Sequence, residues 1–224
     1  SKSLMGRGFQ FFQQYEYARA HLWRLAWSYF NSSLIIAGAC AAFRRGTLLS
    51  VGGFDPTSWT EDYEIMYRLQ RYLRQGKQSC RVMVQPDLCV ETEAPARILS
   101  FLRQRRRWAG GFLETLLRYR QMVGHYPFGL LGSVYLVHTA FTIAHPFYTI
   151  AWIIGGFILY FQDKQIYVEF LWLLLITLSL EIILMIFSVG WYRYYFGRRE
   201  VSRLGGILEL ILRPLFYNHL LTLS

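Results

Sequence analysis

Acidic side chains are scarce in this 224-residue chain: 14 Asp and Glu stand against 24 Lys and Arg, for a formal net charge of +10. That shortage points to anionic partners, either phosphate groups or a membrane surface. Cysteine is scarcer still. Cys40, Cys80 and Cys89 are odd in number and match no zinc spacing, which excludes a disulfide framework and a structural zinc site. They read as reduced packing residues. No signal peptide is legible, since the first residues are polar and begin with Ser1, so the chain reads as a piece of a longer one. Charged residues of either sign make up only 17% of the chain, while 54% is apolar and 18% aromatic, both high for a soluble domain.

The charge is unevenly placed. Residues 1–127 hold 18 of the basic and 9 of the acidic side chains, which is nine of the ten net positive charges. A basic half followed by an apolar half predicts a cytoplasmic domain over 1–127 and a transmembrane region over 128–224. Apolar runs over 128–161 and 166–187 are each long enough to cross about 30 Å of hydrocarbon. A weaker run over 204–223 is interrupted by Arg213-Pro214 and Asn218-His219, and suits a third span or a re-entrant piece. The connector 162–165 is neutral, whereas Arg193, Arg198, Arg199 and Arg203 crowd the next one. The positive-inside rule places the arginines in the cytoplasm, and two spans return the chain to the side of its basic half. The expected location is the inner (plasma) membrane, multi-pass, with the basic half cytoplasmic.

Within the first half, Phe11, Phe12, Tyr15, Ala18, Leu22, Leu25 and Tyr29 recur in steps of three and four, which predicts an amphipathic helix over 8–30. Membrane-surface and core roles suit it equally. Small apolar residues over 34–43 predict a buried strand, and 81–84, extended through 88–90, a second. Arg44-Arg45-Gly46 starts a short helix, and Gly52-Gly53-Phe54-Asp55-Pro56 is a turn cluster. A helix follows over 60–75, with Glu64 and Arg68 as an i,i+4 pair. Pro95 opens a long helix over about 96–122.

Two clusters carry chemistry. At 3.6 residues per turn, Gln104, Arg107, Trp108 and Gly111 share a face of the long helix. A guanidinium there can grip a diphosphate in bidentate fashion, Gln104 adds a hydrogen bond, and Trp108 offers a flat surface for a sugar ring. Arg105 and Arg106 are expected to be supporting or solvated. A bare arginine triplet also serves as a positive flank beside a membrane. The second cluster is Thr60-Glu61-Asp62 at a helix start. Carboxylates there are ordinary capping devices, but one of them can also serve as a general base toward an attacking hydroxyl. Spacing leaves open which of Glu61 and Asp62 points inward. Arg44 is a candidate substrate-site residue, and His138, His145 and Glu181 in the apolar segments should face protein or a polar channel.

Read in order, these signals resemble the C-terminal part of membrane-embedded, processive family-2 glycosyltransferases, the group of cellulose, hyaluronan and poly-N-acetylglucosamine synthases. The matching residues are Ala42-Phe43-Arg44-Arg45, Gly52-Gly53-Phe54, Thr60-Glu61-Asp62, Glu93-Ala94-Pro95 and Gln104-x-x-Arg107-Trp108. The resemblance implies an α/β fold, the C-terminal part of a GT-A domain, followed by two to three transmembrane helices. It implies inverting transfer from a nucleotide-diphosphate sugar, most simply a UDP-sugar, to a growing polysaccharide. Asp62, with Glu61, would be catalytic, while Gln104, Arg107, Trp108, Thr60 and Arg44 would bind substrate. Partners would be the nucleotide-sugar donor, the glycan acceptor, the bilayer and accessory secretion subunits, with no nucleic acid. The family's Asp-x-Asp element is absent from the chain. The ligands of a Mg²⁺ or Mn²⁺ cofactor are therefore expected elsewhere, with none here, and the chain alone is expected to be inactive. The alternative is a non-catalytic membrane subunit whose basic domain recruits an anionic partner.

Overall fold

A computed structural model describes residues 4–36, 38–76, 81–85, 90, 92–162 and 164–196. Over these residues the chain is helical: α1 (Leu4–Tyr29), α2 (Arg45–Ser50), α3 (Glu61–Gln75), α4 (Ile98–Arg118), α5 (Leu136–Gln162) and α6 (Lys164–Phe196). Two short 3₁₀ turns and a π-turn over Leu131–Tyr135 join α4 to α5.

The expected strands do not form among the described residues. Residues 32–36 are extended and Leu34 is fully buried, but no strand lies alongside. A lone extended segment must satisfy its backbone in some other way. Here side chains from α3 reach its start: Gln70 donates to the carbonyls of Asn31 and Ser33 at 3.2 and 3.5 Å, and Arg74 to that of Asn31 at 2.8 Å. Asn31 in turn accepts the backbone N–H of Val82 at 2.8 Å. Residues 81–85 therefore dock on a side chain and not on a ladder. The possible continuation 88–90 lies largely outside the described residues.

The helical expectations fare better. α3 begins one residue after Thr60 and ends at Gly76, as its capping pattern predicts. α4 stops at Arg118, four residues short of the expected end, because the chain tightens into a 3₁₀ turn over Arg120–Met122. α3 and α4 pack through Tyr63, Ile65, Met66, Tyr67, Leu116 and Tyr119, and this core continues into Phe128, Leu131, Tyr135 and Leu136 at the base of α5.

The α1 helix was compatible with a membrane-surface or a core role, and it is a core element on three sides. Tyr15 packs with Met185 and Val189 of α6. Trp27 meets Tyr135 at 4.8 Å. Gln10 and Gln13 donate to the carbonyls of Ala94 and Pro95, which tethers the lead-in to α4. Glu181 and His138 find protein partners as expected. Arg19 pairs with Glu181 at 2.8 Å, and Trp23 lies 5.0 Å from His138, ring centroid to centroid. Cys40 is exposed, so it is not the packing residue its chemistry suggested.

One helix among the described residues, α6, is long and apolar enough to cross a membrane, over Lys164–Tyr194 with mean hydropathy 2.6. α5 contributes two shorter apolar stretches, Leu131–Ala144 and Ile150–Gln162. The third apolar segment at 204–223, and the arginines that set the predicted orientation apart from Arg193, lie outside the described residues.

Candidate active site

The site is assembled where the N-terminus of α3 lands on the middle of α4. Two glycines make the landing possible. A Cβ on Gly111 would collide with the Thr60 side chain, and one on Gly110 would stand 2.7 Å from the Trp59 ring. With hydrogen in place of a methyl, Trp59 and Thr60 lie flat on α4 and bring Glu61 and Asp62 to its flank.

The loop before α3 is fixed by its own chemistry. Gly52 and Gly53 take φ of 87° and 74°, which reverses the chain. Asp55 then accepts from the backbone N–H and hydroxyl of Thr57 at 2.9 and 2.6 Å. Arg118 of α4 donates to Asp55 at 2.7 Å and to Glu114 at 2.7 Å. The Thr57 hydrogen bonds, helped by Arg118, hold the Asp55 carboxyl down at about 2. Behind the site the predicted Glu64–Arg68 pair is present at 2.6 Å, and it does more than brace one helix. Glu64 is 1% exposed and also accepts the Tyr119 hydroxyl at 2.5 Å, while Arg68 donates to the carbonyl of Val51 at 2.7 Å. One carboxylate therefore joins α3, the end of α4 and the end of α2. Cutting such a buried pair on one side costs about 3–5 kcal/mol.

Asp62 and Glu61 are distinguished by position. Glu61 is exposed, whereas Asp62 is half-buried. A Cβ on Gly38 would lie 2.5 Å from Asp62 Oδ2, so the carboxylate rests directly on the backbone of that loop. Its Oδ1 accepts the N–H of Tyr63 at 2.9 Å. Burial, and then the charge of Glu61, push the Asp62 carboxyl above its ordinary value, against the opposing pull of backbone N–H groups of Tyr63, Asp62 and Gly38. A carboxylate held by backbone donors but kept basic can take a proton from a hydroxyl.

The remaining candidates divide into three positions. Arg107 is exposed and leans toward the α3 side, with Nη1 3.5 Å from the carbonyl of Trp59. Gln104, one turn earlier, keeps Oε1 buried without a hydrogen-bond partner. Thr60, a candidate substrate residue from the sequence, is 4% exposed and pressed on Gly111 where α3 meets α4. Trp108 is half-buried, with the Arg105 guanidinium 4.5 Å from its ring centroid. Arg105 itself is buried, at 6% exposed, and pairs with Glu16, contrary to a solvated role. Arg44 is exposed at the start of α2, with no ion pair to the other candidates among the described residues.

Sequence reasoning missed Gly38, Gly110, Glu16 and Trp59. Of these only Gly110 left a signal, as part of a Gly-Gly step inside a helix, where glycine is otherwise unfavourable. Among the described residues no three His, Cys, Asp or Glu side chains gather into a metal site.

A family model described as "Glycosyl transferase family group 2" matches residues 5–184, which include both clusters. Cellulose synthase 2 of Novacetimonas hansenii is 31% identical over 87 residues, covering 39% of this chain and 5% of that protein. The chain thus spans a small part of the length of that relative. No solved structure matches.

Proposed function

Because the chain belongs to glycosyl transferase family group 2, we propose that it carries the base and acceptor side of an inverting sugar transfer in polysaccharide synthesis at a membrane. The observation that supports this reading most strongly is Asp62. It is a half-buried carboxylate at the start of α3, kept basic by burial, lodged on Gly38 and aimed from a helix seated on α4.

In this reading Asp62 accepts the proton of the terminal hydroxyl of the glycan. The oxygen then attacks the anomeric carbon of a nucleotide-diphosphate sugar, taken as a UDP-sugar. A new glycosidic C–O bond forms, the C–O bond to the diphosphate breaks, and the configuration inverts. The nucleoside diphosphate leaves with its negative charge met by Arg107, with Gln104 one turn away. Trp108 stacks the acceptor ring. Glu61 stays outside the reacting atoms and tunes Asp62 by its charge. A Mg²⁺ or Mn²⁺ ion serving the donor phosphates takes its ligands from elsewhere in the protein, and no step above passes through it.

α6 sets the geometry relative to a bilayer. Its length and hydropathy suit a span, and the basic half 1–127 suits the cytoplasmic face of the inner membrane, where nucleotide sugars are met. Residues 1–224 alone are then expected to show no transferase activity. The test uses the full-length protein in membrane vesicles: Asp62→Asn is expected to abolish polymer synthesis while UDP binding persists. Normal polymer yield from that variant would remove Asp62 from its role.

A further inference from the structure

The arginine triplet contains one residue that behaves unlike its neighbours. Arg106 and Arg107 are exposed, whereas Arg105 is buried between two aromatic rings. Its guanidinium carbon lies 4.8 Å from the Phe101 ring centroid and 4.5 Å from that of Trp108. Positions 101, 105 and 108 recur at helical spacing, so the three stack along one strip of α4. The guanidinium is not free to turn. Nη1 and Nη2 donate to Oε1 and Oε2 of Glu16 at 2.5 and 2.8 Å, a two-pronged grip from α1. A planar cation locked by both carboxylate oxygens presents a fixed face to the ring beside it.

We propose that Arg105, clamped by Glu16 of α1, is the positioning residue for Trp108: it holds the indole in one orientation as the stacking surface for the acceptor sugar. The sugar-stacking part rests on the reading of Trp108 given above, while the brace itself stands on the geometry. A ring held still before the sugar arrives loses less freedom on binding, and it keeps the acceptor hydroxyl in register with the base. Lysine cannot substitute, because a point charge on a flexible stem has neither the fork nor the flat face. The same helix offers an internal control. One turn after Glu16, Arg19 pairs with Glu181 of α6 at 2.8 Å.

The test is ¹⁹F NMR of the full-length protein labelled with 5-fluorotryptophan in detergent, with Trp108→Phe identifying the Trp108 resonance. Arg105→Lys and Glu16→Gln are each expected to shift the Trp108 resonance and leave the other tryptophan resonances in place. Glu16→Gln preserves shape, so it carries the test if Arg105→Lys does not fold. Arg19→Gln is expected to leave Trp108 where it is. In Arg105→Lys and Glu16→Gln the rate of polymer synthesis should fall on the order of 10- to 100-fold, with UDP affinity unchanged. A Trp108 resonance unmoved by both substitutions overturns the brace and leaves the proposed function standing. Full polymer synthesis by Trp108→Ala overturns the stacking role of Trp108, and with it the catalytic meaning of a brace that the NMR would still show.

Discussion

Eight of the fifteen residues of α3 are buried, including the charged Glu64 and the amide Gln70. In α6, 6% of the most apolar stretch is buried within the protein, and Leu173, Leu174, Leu175 and Ile176 each stand about half exposed. The two helices differ in what they bury. α3 takes polar groups inside and satisfies each with a named partner, while α6 turns its apolar side chains outward. The polar network fixes α3 to named partners on α4 and the neighbouring loops. The apolar surface specifies only a low-dielectric neighbour, which a bilayer supplies.

If the α3 network rests on Glu64, removing that carboxylate should do the most damage. Glu64→Ala strands Arg68 and the Tyr119 hydroxyl and is expected to cost about 3–5 kcal/mol, read as a loss of melting temperature in a thermal-shift assay. On the apolar side, Leu174→Arg is expected to cost about 2.5–3.5 kcal/mol of membrane insertion, read as a lower membrane-inserted fraction. Unchanged insertion would mean that α6 faces something other than lipid. Gly38→Ala separates catalysis from folding: its methyl displaces Asp62, and a misplacement near 1 Å is expected to lower turnover by on the order of 100-fold with little change in melting. Gly111→Ala sharpens the comparison from within the interface. Overpacking against Thr60 should destabilise by about 1–3 kcal/mol, and a loss of stability from Gly46→Ala, where a Cβ meets nothing, would show that the Gly111 effect is not specific.

Much of the site was legible because its signals are local. Thr60-Glu61-Asp62 marks a helix start, Gly52-Gly53 a reversal, Glu64–Arg68 one helical turn, and Gln104, Arg107 and Trp108 one long helix. Each is read within a window of a few residues. Sequence leaves Asp62 and Glu61 equivalent, and burial against Gly38 separates them. What stayed hidden depends on contacts across the chain. Arg105 looks like any exposed arginine until Glu16, 89 residues earlier, meets it. The seating of Thr60 on Gly111, across two helices, is equally invisible in a local window. The strands over 34–43 and 81–84 failed for the same reason in reverse. Their composition suits a sheet, but a strand is defined by its neighbour, and among the described residues none is alongside.

The central claim is that Asp62 is the general base and that the fold keeps it basic. Folding raises its proton affinity, so its favourable contribution to stability is present below the ordinary aspartate range and is lost as pH rises through the raised value. The ionised form is thus held at a cost, and that form is the one the proposed reaction would use. The decisive measurement is the pH dependence of kcat/KM for the full-length protein, whose acid limb reports the free base. An acid limb above the ordinary aspartate range, abolished together with activity in Asp62→Asn, is the predicted result. A limb within that range, or one that survives the substitution, would contradict it.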